Sequence, residues 1–320
     1  MFKAISMGMV FTMLFTTTTE VFATDNNLQD QKAANIIEQV TGIDDVNTDT
    51  YETDTYAAVA DGKEVVVEVP KSGNESVRIS DSESVQNDVT MNLPEEIADE
   101  RATVTDNGTI VYSSKENSVT VGVQPLAEEV EGVSLEGVRT TITINDASAS
   151  KEYSFKYDLP EGSKLITAKE FLGDEFDTGE VYVINSDNEI TSIIDAAWAK
   201  DANGEDIVTY YKVNGNMLTQ VVEFDENTAF PVVADPSLWK IAKCTGAILW
   251  VVGSTCFAAA KIVKIKRYVK SIGGVKRAAT LLMRAGRNAS KAKLLEIGGS
   301  SLMNLASEIL GITTVKDNCF

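Results

Sequence analysis

Few side chains in this sequence of 320 residues have catalytic potential, because it contains no histidine. Histidine is the usual side chain that exchanges a proton near neutral pH, and it is the commonest metal ligand. Its absence excludes Ser-His-Asp and Cys-His hydrolysis and H-E-x-x-H zinc sites. Asp177-Thr178-Gly179 has the tripeptide of aspartic proteases, but those enzymes need two such carboxylates and one copy is present. The sequence therefore predicts no enzyme, no cofactor and no metal site.

Three cysteines are the remaining reactive side chains. Cys244 and Cys256 would lie about 18 Å apart in a continuous helix, whereas a disulfide needs α-carbons within about 7 Å. Cys319 could reach back to either of them. We predict a Cys244–Cys319 disulfide with Cys256 as a buried thiol, and three free thiols remain the alternative.

The first residues have the pattern of a secretory signal peptide. Lys3 gives a positive start, residues 4–15 are apolar, and Val21-Phe22-Ala23 fits the small-x-small cleavage rule. We expect cleavage between Ala23 and Thr24 and an extracellular mature protein, in a compartment where disulfides persist. An uncleaved membrane anchor is the alternative, although about a dozen apolar residues are short for spanning a bilayer.

The middle of the sequence is typical of an antiparallel sheet. Asn107-Gly108 and Asn214-Gly215 supply tight hairpin turns, because Asn-Gly accepts the positive φ angles that such turns require. A short helix over residues 28–42 and a Thr/Asp-rich spacer precede the sheet. Short β-branched or aromatic runs, separated by turn residues, predict strands at 64–69, 109–114, 119–123, 138–144, 153–159, 181–184 and 209–213.

The pattern changes from β to α at Ser237. Ile262, Ile265, Val269 and Ile272 recur at helical spacing, and glycines at 273–274, 286 and 311 separate successive helices. The predicted fold class is α+β, with an antiparallel β-sandwich-like body followed by a small all-α C-terminal domain. The predicted organisation is a signal peptide (1–23), a helix and spacer (24–63), an acidic β-rich domain (64–236) and a basic apolar helical domain (237–320).

Charge is divided unequally between the two halves. Residues 1–236 hold 14 Lys/Arg against 45 Asp/Glu, and residues 237–320 hold 14 against 3. A basic domain is attracted to anionic lipids or wall polymers, with about 1 kcal/mol from each cation near such a surface. We expect that contact at Lys261, Lys264, Lys266, Arg267 and Lys270. The alternative is that these cations face the acidic body of the same molecule; no nucleic-acid partner is predicted.

Residues 244–260 carry no charge and lie between two basic flanks. Three interpretations remain open: a buried central helix of a small bundle, a membrane-inserting helix of a toxin-like domain, or a stop-transfer anchor. Seventeen residues are the lower limit for crossing a bilayer.

Residues 139–236 resemble a largely uncharacterised family of secreted Gram-positive proteins. The resemblance rests on Leu159-Pro160-x-Gly162, Ala197-Trp198-Ala199-Lys200-Asp201-Ala202-Asn203-Gly204 and Phe230-Pro231-Val232-Val233-Ala234-Asp235-Pro236. Ala197 departs from the proline usual in that family, and Phe230 from a frequent tyrosine. The basic tail, with Trp239-Lys240-x-x-Lys243-Cys244 and Asp317-Asn318-Cys319, is similar as well. The resemblance implies secretion and a shared architecture, and it implies no activity and no functional residues.

These observations predict a secreted, non-enzymatic protein whose basic helical domain engages bacterial membranes or envelope polymers and is shielded by the acidic body. The alternative is a structural or adhesive wall protein, in which the β-rich domain binds and the helical tail is a structural cap.

Overall fold

The computed structural model describes residues 19–63, 65–81, 88–130, 133–186, 190–240, 247–248, 251, 258–286, 288–310, 312–313 and 315–316. Over these ranges the chain has the predicted α+β fold, with a β-sandwich-like body and a small helical C-terminal part.

The described residues form eighteen strands, which pair antiparallel in two sheets. One sheet has eight strands, in the order β1-β2-β3-β4-β5-β10-β16-β15. The other has ten, with the path β11-β12-β13-β18-β9-β8-β7-β6, and β14 joins it through β17, which pairs with β9. The strands are β1 Thr50–Tyr51, β2 Tyr56–Asp61, β3 Val65–Pro70, β4 Ser76–Asp81, β5 Val89–Asn92, β6 Thr103–Val104, β7 Ile110–Ser114, β8 Val119–Val130, β9 Val133–Ile144, β10 Glu152–Asp158, β11 Lys164–Thr167, β12 Val181–Ile184, β13 Ile190–Ile194, β14 Trp198–Lys200, β15 Thr209–Asn214, β16 Met217–Val222, β17 Val232–Asp235 and β18 Ser237–Lys240.

The two sheets enclose the larger hydrophobic core. In β10, Tyr153, Phe155 and Tyr157 are buried and alternate with exposed residues, as a half-buried strand requires. Their side chains share a core with Val121 and Ile142 of the opposite sheet. The runs predicted as strands are strands, and both Asn-Gly turns close hairpins, with φ of 81° at Gly108 and 59° at Gly215.

Helices cover the outer face of the ten-stranded sheet. They are α1 Thr19–Thr41, α2 Ala168–Leu172, α3 Ala259–Ile272, α4 Val275–Ala285 and α5 Lys291–Ile309. Helix α3 ends at Gly273 in the left-handed conformation, and Gly298 and Gly299 interrupt α5 with non-helical angles. The glycine separators predicted at 273–274 and 286 are confirmed, because α4 lies between them, and Gly311 lies outside the described residues.

Strand β12 shows how the third layer is built, because all four of its residues are buried. Val181 and Val183 face the sandwich core, whereas Tyr182 and Ile184 belong to a second core together with α3, α4 and α5. A strand covered on both faces is a near-continuous apolar run, as VYVI is. The C-terminal helices are thus a layer on the sheet and share a core with it.

Helix α1 covers another part of the same sheet face. Asp30 accepts hydrogen bonds from Thr103 Oγ1 and Ser113 Oγ, each at 2.7 Å. Buried Ile37 sits against Gly122 of β8, where a Cβ would meet the Ile37 Cδ1 at 2.5 Å. A glycine at this position therefore lets the helix approach the sheet closely.

Three predictions about the elements are corrected. Ser237–Lys240 form a strand between β13 and β9, so the change from sheet to helix follows Lys240 and does not fall at Ser237. The expected spacer contains β2, in which Ala57, Ala58, Val59 and Ala60 are buried. Because alanine has little intrinsic preference for strands, the sequence pattern did not predict this strand. Helix α1 also begins earlier than residue 28.

Candidate binding surfaces: the helical layer and a polar cleft

Helix α3 turns an apolar face to the sheet and a basic face outward. Ile265, Val269 and Ile272 are buried in the core that the helices share with the sheet. Arg267 and Lys264 lie on the exposed side. This division follows from helical periodicity, since residues three, four and seven apart share a face.

The five cations predicted to contact an envelope differ in their surroundings. Lys266 Nζ donates to the Leu172 carbonyl at 2.8 Å and lies 5.6 Å from the Phe176 ring centroid, and burial lowers its pKa. Lys270 Nζ donates to the Glu175 carbonyl. Lys264 pairs with Glu308 of α5 at 3.5 Å. Lys266 and Lys270 therefore attach α3 to the body, and Lys261 is half-buried.

Exposed cations are present on the other two helices as well. Arg277 and Arg284 are seven residues apart and share the outer face of α4. Lys291 and Lys293 are exposed in the first turn of α5. Among the described residues, Arg267, Arg277 and Arg284 form no ion pair within 4.0 Å. The outer surface of the helical layer is thus basic, although Val263, Leu295 and Leu310 are exposed there as well, and most of its apolar side chains are buried in the core shared with the sheet.

Two acidic groups of the body meet the start of α4. Asp195 Oδ2 accepts from Lys276 Nζ at 2.9 Å. Glu180 is 4% exposed, and it accepts from Thr178 Oγ1 and Tyr182 OH. Burial raises the pKa of Glu180. Acidic-to-basic contact within the molecule therefore exists at α4.

A polar cleft of about 300 Å³ lies where α1, the ten-stranded sheet and α4 come together. Asp235 of β17 is its most buried carboxyl, and both of its oxygens accept from Ser237 Oγ at 2.8 Å. Trp198 Nε1 donates to Asp235 Oδ2 at 3.0 Å, and Arg139 Nε lies 3.6 Å from the same atom. Burial raises the pKa of Asp235 to about 6, against the opposing effects of Arg139, Ser237 and Trp198.

Arg139 connects the two sides of the cleft. Its guanidinium reaches Asp45, after α1, with NH2 to Oδ2 at 2.6 Å and NH1 to Oδ1 at 3.2 Å. It also donates to Gln124 Oε1 at 3.1 Å. A bidentate contact between a guanidinium and a carboxylate fixes the orientation of both groups. The cleft is therefore held in shape by its own charges.

A second tryptophan and a lysine close the α4 side of the cleft. Trp239 Nε1 donates to Asp195 Oδ2 at 2.8 Å, and Lys276 Nζ lies 3.3 Å from the Trp239 ring centroid. Lysine above an indole ring is a favourable cation–π arrangement. The complete lining is Val40, Thr41, Asp45, Arg139, Asp195, Trp198, Lys200, Asp235, Ser237, Trp239 and Lys276.

The other sites predicted from the sequence are the three cysteines and the signal-peptide cleavage site. Cys244, Cys256 and Cys319 lie outside the described residues, so the disulfide stays a prediction. Ala23 and Thr24 lie within α1, and cleavage between them also stays a prediction. Within the described ranges, no three His, Cys, Asp or Glu side chains are grouped as metal ligands, and no helix has the length and apolar character to span a membrane. Asp177 Oδ1 accepts from the Gly179 amide in a turn.

Sequence reasoning missed the cleft. Its only local signal was Arg139, a lone cation inside the β-type run VRTTITI, where a buried charge needs a partner. Trp198 and Asp235 are among the residues that carry the family resemblance, but the resemblance assigns them no role. Their pairing across β14 and β17, Trp198 opposite Asp235, is a property of the sheet.

Neither a scan of protein-family models nor a search of curated proteins found a match to this chain. The resemblance to secreted Gram-positive proteins therefore stays a prediction.

Proposed function

We propose that this is a secreted, non-enzymatic protein that binds anionic, phosphate-rich polymers of the bacterial envelope through the outer surface of its helical layer. The observation that carries the proposal is the orientation of α3, α4 and α5. Their apolar faces share a core with the sheet, and Arg267, Arg277 and Arg284 face solvent.

Burial of the apolar faces favours binding at a surface over insertion into a membrane. Ala247, Ile248 and Val251 of the uncharged segment are at most 4% exposed and belong to the same core, whereas Ala258 and Ala260 at its end are exposed. Insertion would have to remove these side chains from that core, at about 25 cal/mol for each Å² of apolar surface exposed on the way. Electrostatic binding requires no such rearrangement.

The acidic body has a structural part in this proposal. The carbonyls of Leu172 and Glu175 accept from lysines of α3, and Asp195 accepts from Lys276, so these lysines attach the helices to the body. Arg267, Arg277 and Arg284 remain exposed to solvent. Its own negative charge opposes close approach of a polyanion from the other side of the molecule. One face of the protein is therefore oriented toward the polymer.

Cosedimentation of the full chain with purified Gram-positive cell walls tests the proposal. We expect binding at low ionic strength and release at about 1 M salt, where the Debye length is about 3 Å. Walls stripped of phosphodiester polymers should retain little protein. Phosphatidylglycerol vesicles provide the comparison, and binding to vesicles with none to walls would make lipid the target and contradict the proposal.

A charge-neutralised variant locates the surface. Replacing Arg267, Arg277 and Arg284 by glutamine should weaken binding by about 3 kcal/mol, or roughly 100-fold, at about 1 kcal/mol for each cation. The matched control replaces three exposed lysines of the body, Lys156, Lys164 and Lys169, by glutamine, so the net charge changes by the same amount. Equal losses in the two variants would show an effect of net charge alone and would contradict a specific basic face.

A further inference from the structure

We propose that the cleft between α1, the ten-stranded sheet and α4 is a saccharide-binding site, with Trp198 as the platform on which a sugar ring stacks. This inference is independent of the basic outer surface. It rests on the type and arrangement of the groups that line the cleft.

Trp198 presents a fixed aromatic surface. It is half-buried, and the hydrogen bond from its Nε1 to Asp235 Oδ2 fixes the plane of the ring. Trp198 and Lys200 project to the same side of β14 and line the cleft, whereas Ala199 between them enters the sandwich core. The C–H groups on one face of a pyranose ring pack on the exposed part of an indole ring.

The charges in the cleft cancel. Its lining holds three aspartates, Asp45, Asp195 and Asp235, and three cations, Arg139, Lys200 and Lys276. A phosphate or sulfate site would need an excess of donors and positive charge, and a cation site an excess of carboxylates. Balanced donors and acceptors match a neutral ligand with many hydroxyl groups, since each hydroxyl both donates and accepts.

The polar groups are oriented before any ligand arrives. Arg139 is held by Asp45, and Lys276 by Asp195. Asp195 keeps a third of its side-chain surface exposed, and Asp45 about a quarter, so each carboxylate can still accept from a ligand. A site that is already ordered loses little conformational entropy on binding.

The size of the cleft agrees with one or two sugar units. Its volume of about 300 Å³ is at the lower end of the ~300–1,000 Å³ typical of ligand pockets. Because Thr41 and Lys276 lie far apart in the sequence, the cleft exists only in the complete fold. The full chain is therefore the material for the test.

The test is titration of the full chain with neutral tetrasaccharides built from glucose, galactose, mannose or N-acetylglucosamine. Calorimetry and tryptophan fluorescence report binding, since two of the three tryptophans line the cleft. The salt concentration is about 1 M, which screens the basic outer surface. We expect saturable binding of at least one tetrasaccharide with a change in fluorescence. No binding of any of the four overturns the proposal and leaves salt-sensitive wall binding unaffected.

Variants assign the binding to the cleft. Trp198→Ala should weaken it by at least about tenfold, as expected for a central aromatic contact. Asp195→Asn is a second variant that keeps the shape of the side chain, and it should also weaken binding. Tyr210→Ala removes an exposed aromatic from β15, outside the cleft, and should bind as the wild type does. Wild-type affinity in both cleft variants overturns the proposal, as does preferential binding of glycerol phosphate at low salt with no sugar bound.

Discussion

Asp235→Asn changes one atom in the most buried carboxyl group of the cleft. The side chain is 4% exposed and faces Arg139 of β9, Trp198 of β14, Ser237 of β18 and, at longer range, Asp195. The phenols of buried Tyr157 and partly buried Tyr211 lie near it as well, and Asp235 helps to raise their pKa. Asparagine keeps an acceptor for Trp198 and does not ionise. The variant therefore isolates the free energy of ionising this group.

The direction in which stability changes with pH follows from the raised pKa of Asp235. Asp235 has a pKa of about 6 in the folded protein, and an unfolded aspartate has about 3.9. The folded state binds the proton more tightly, so the contribution of this group to stability is complete below about pH 4 and is lost as the pH rises through 6. A difference of about two pKa units corresponds to about 3 kcal/mol.

Urea denaturation from about pH 4 to 7 measures this contribution. The free energy of unfolding of the wild type, minus that of Asp235→Asn, should fall by about 2 kcal/mol over this range, because the unfolded aspartate is already about half ionised at pH 4. Asp174→Asn is the matched control, because that carboxylate is 83% exposed and pairs with Lys169 at the surface. The difference in unfolding free energy between the wild type and Asp174→Asn should change by no more than about 0.5 kcal/mol over the same pH range, because exposed ion pairs contribute little to stability. A constant or rising difference for Asp235→Asn would refute the conclusion that burial dominates its ionisation.

Two further predictions concern backbone packing and export. Gly137→Ala should lower the free energy of unfolding by about 2–4 kcal/mol in urea denaturation, because a Cβ on β9 would collide with the backbone of Leu238 in β18. The control Gly204→Ala, in an open turn with φ of 79°, should lower it by only about 1 kcal/mol. Equal losses of stability in the two variants would contradict the close approach of β9 and β18. Mass spectrometry of culture medium should find a mature N-terminus at Thr24 and a Cys244–Cys319 disulfide, whereas an intact Met1 or alkylation of all three cysteines would contradict the corresponding prediction.

Local patterns predicted the elements that have strong periodicity or clear turn residues. Tyr153, Phe155 and Tyr157 alternate as a strand requires, and Asn214-Gly215 can adopt the positive φ of a hairpin turn whatever surrounds it. Gly273 ends α3 for the same reason. These features depend on the backbone and on neighbours a few residues away. They are therefore visible in the sequence.

Ser237–Lys240 show where local patterns fail. Four residues between a proline and an Ala-rich stretch give no clear period, and their strand exists because β13 and β9 pair with it on either side. The buried alanines of β2 are a similar case, since β1 and β3 pair with that strand. Tertiary pairing overrides weak intrinsic preference in both.

The sequence by itself determined the segregation of charge, the α+β class and the elements with strong periodicity. Only the tertiary structure decided which side of each C-terminal helix faces solvent and which polar residues meet in the cleft. Asp45 and Arg139 are 94 residues apart, and Asp195 and Lys276 are 81 apart. Their contacts depend on the order of strands in a sheet, which is fixed by the burial of many apolar side chains at once and not by any short stretch of sequence.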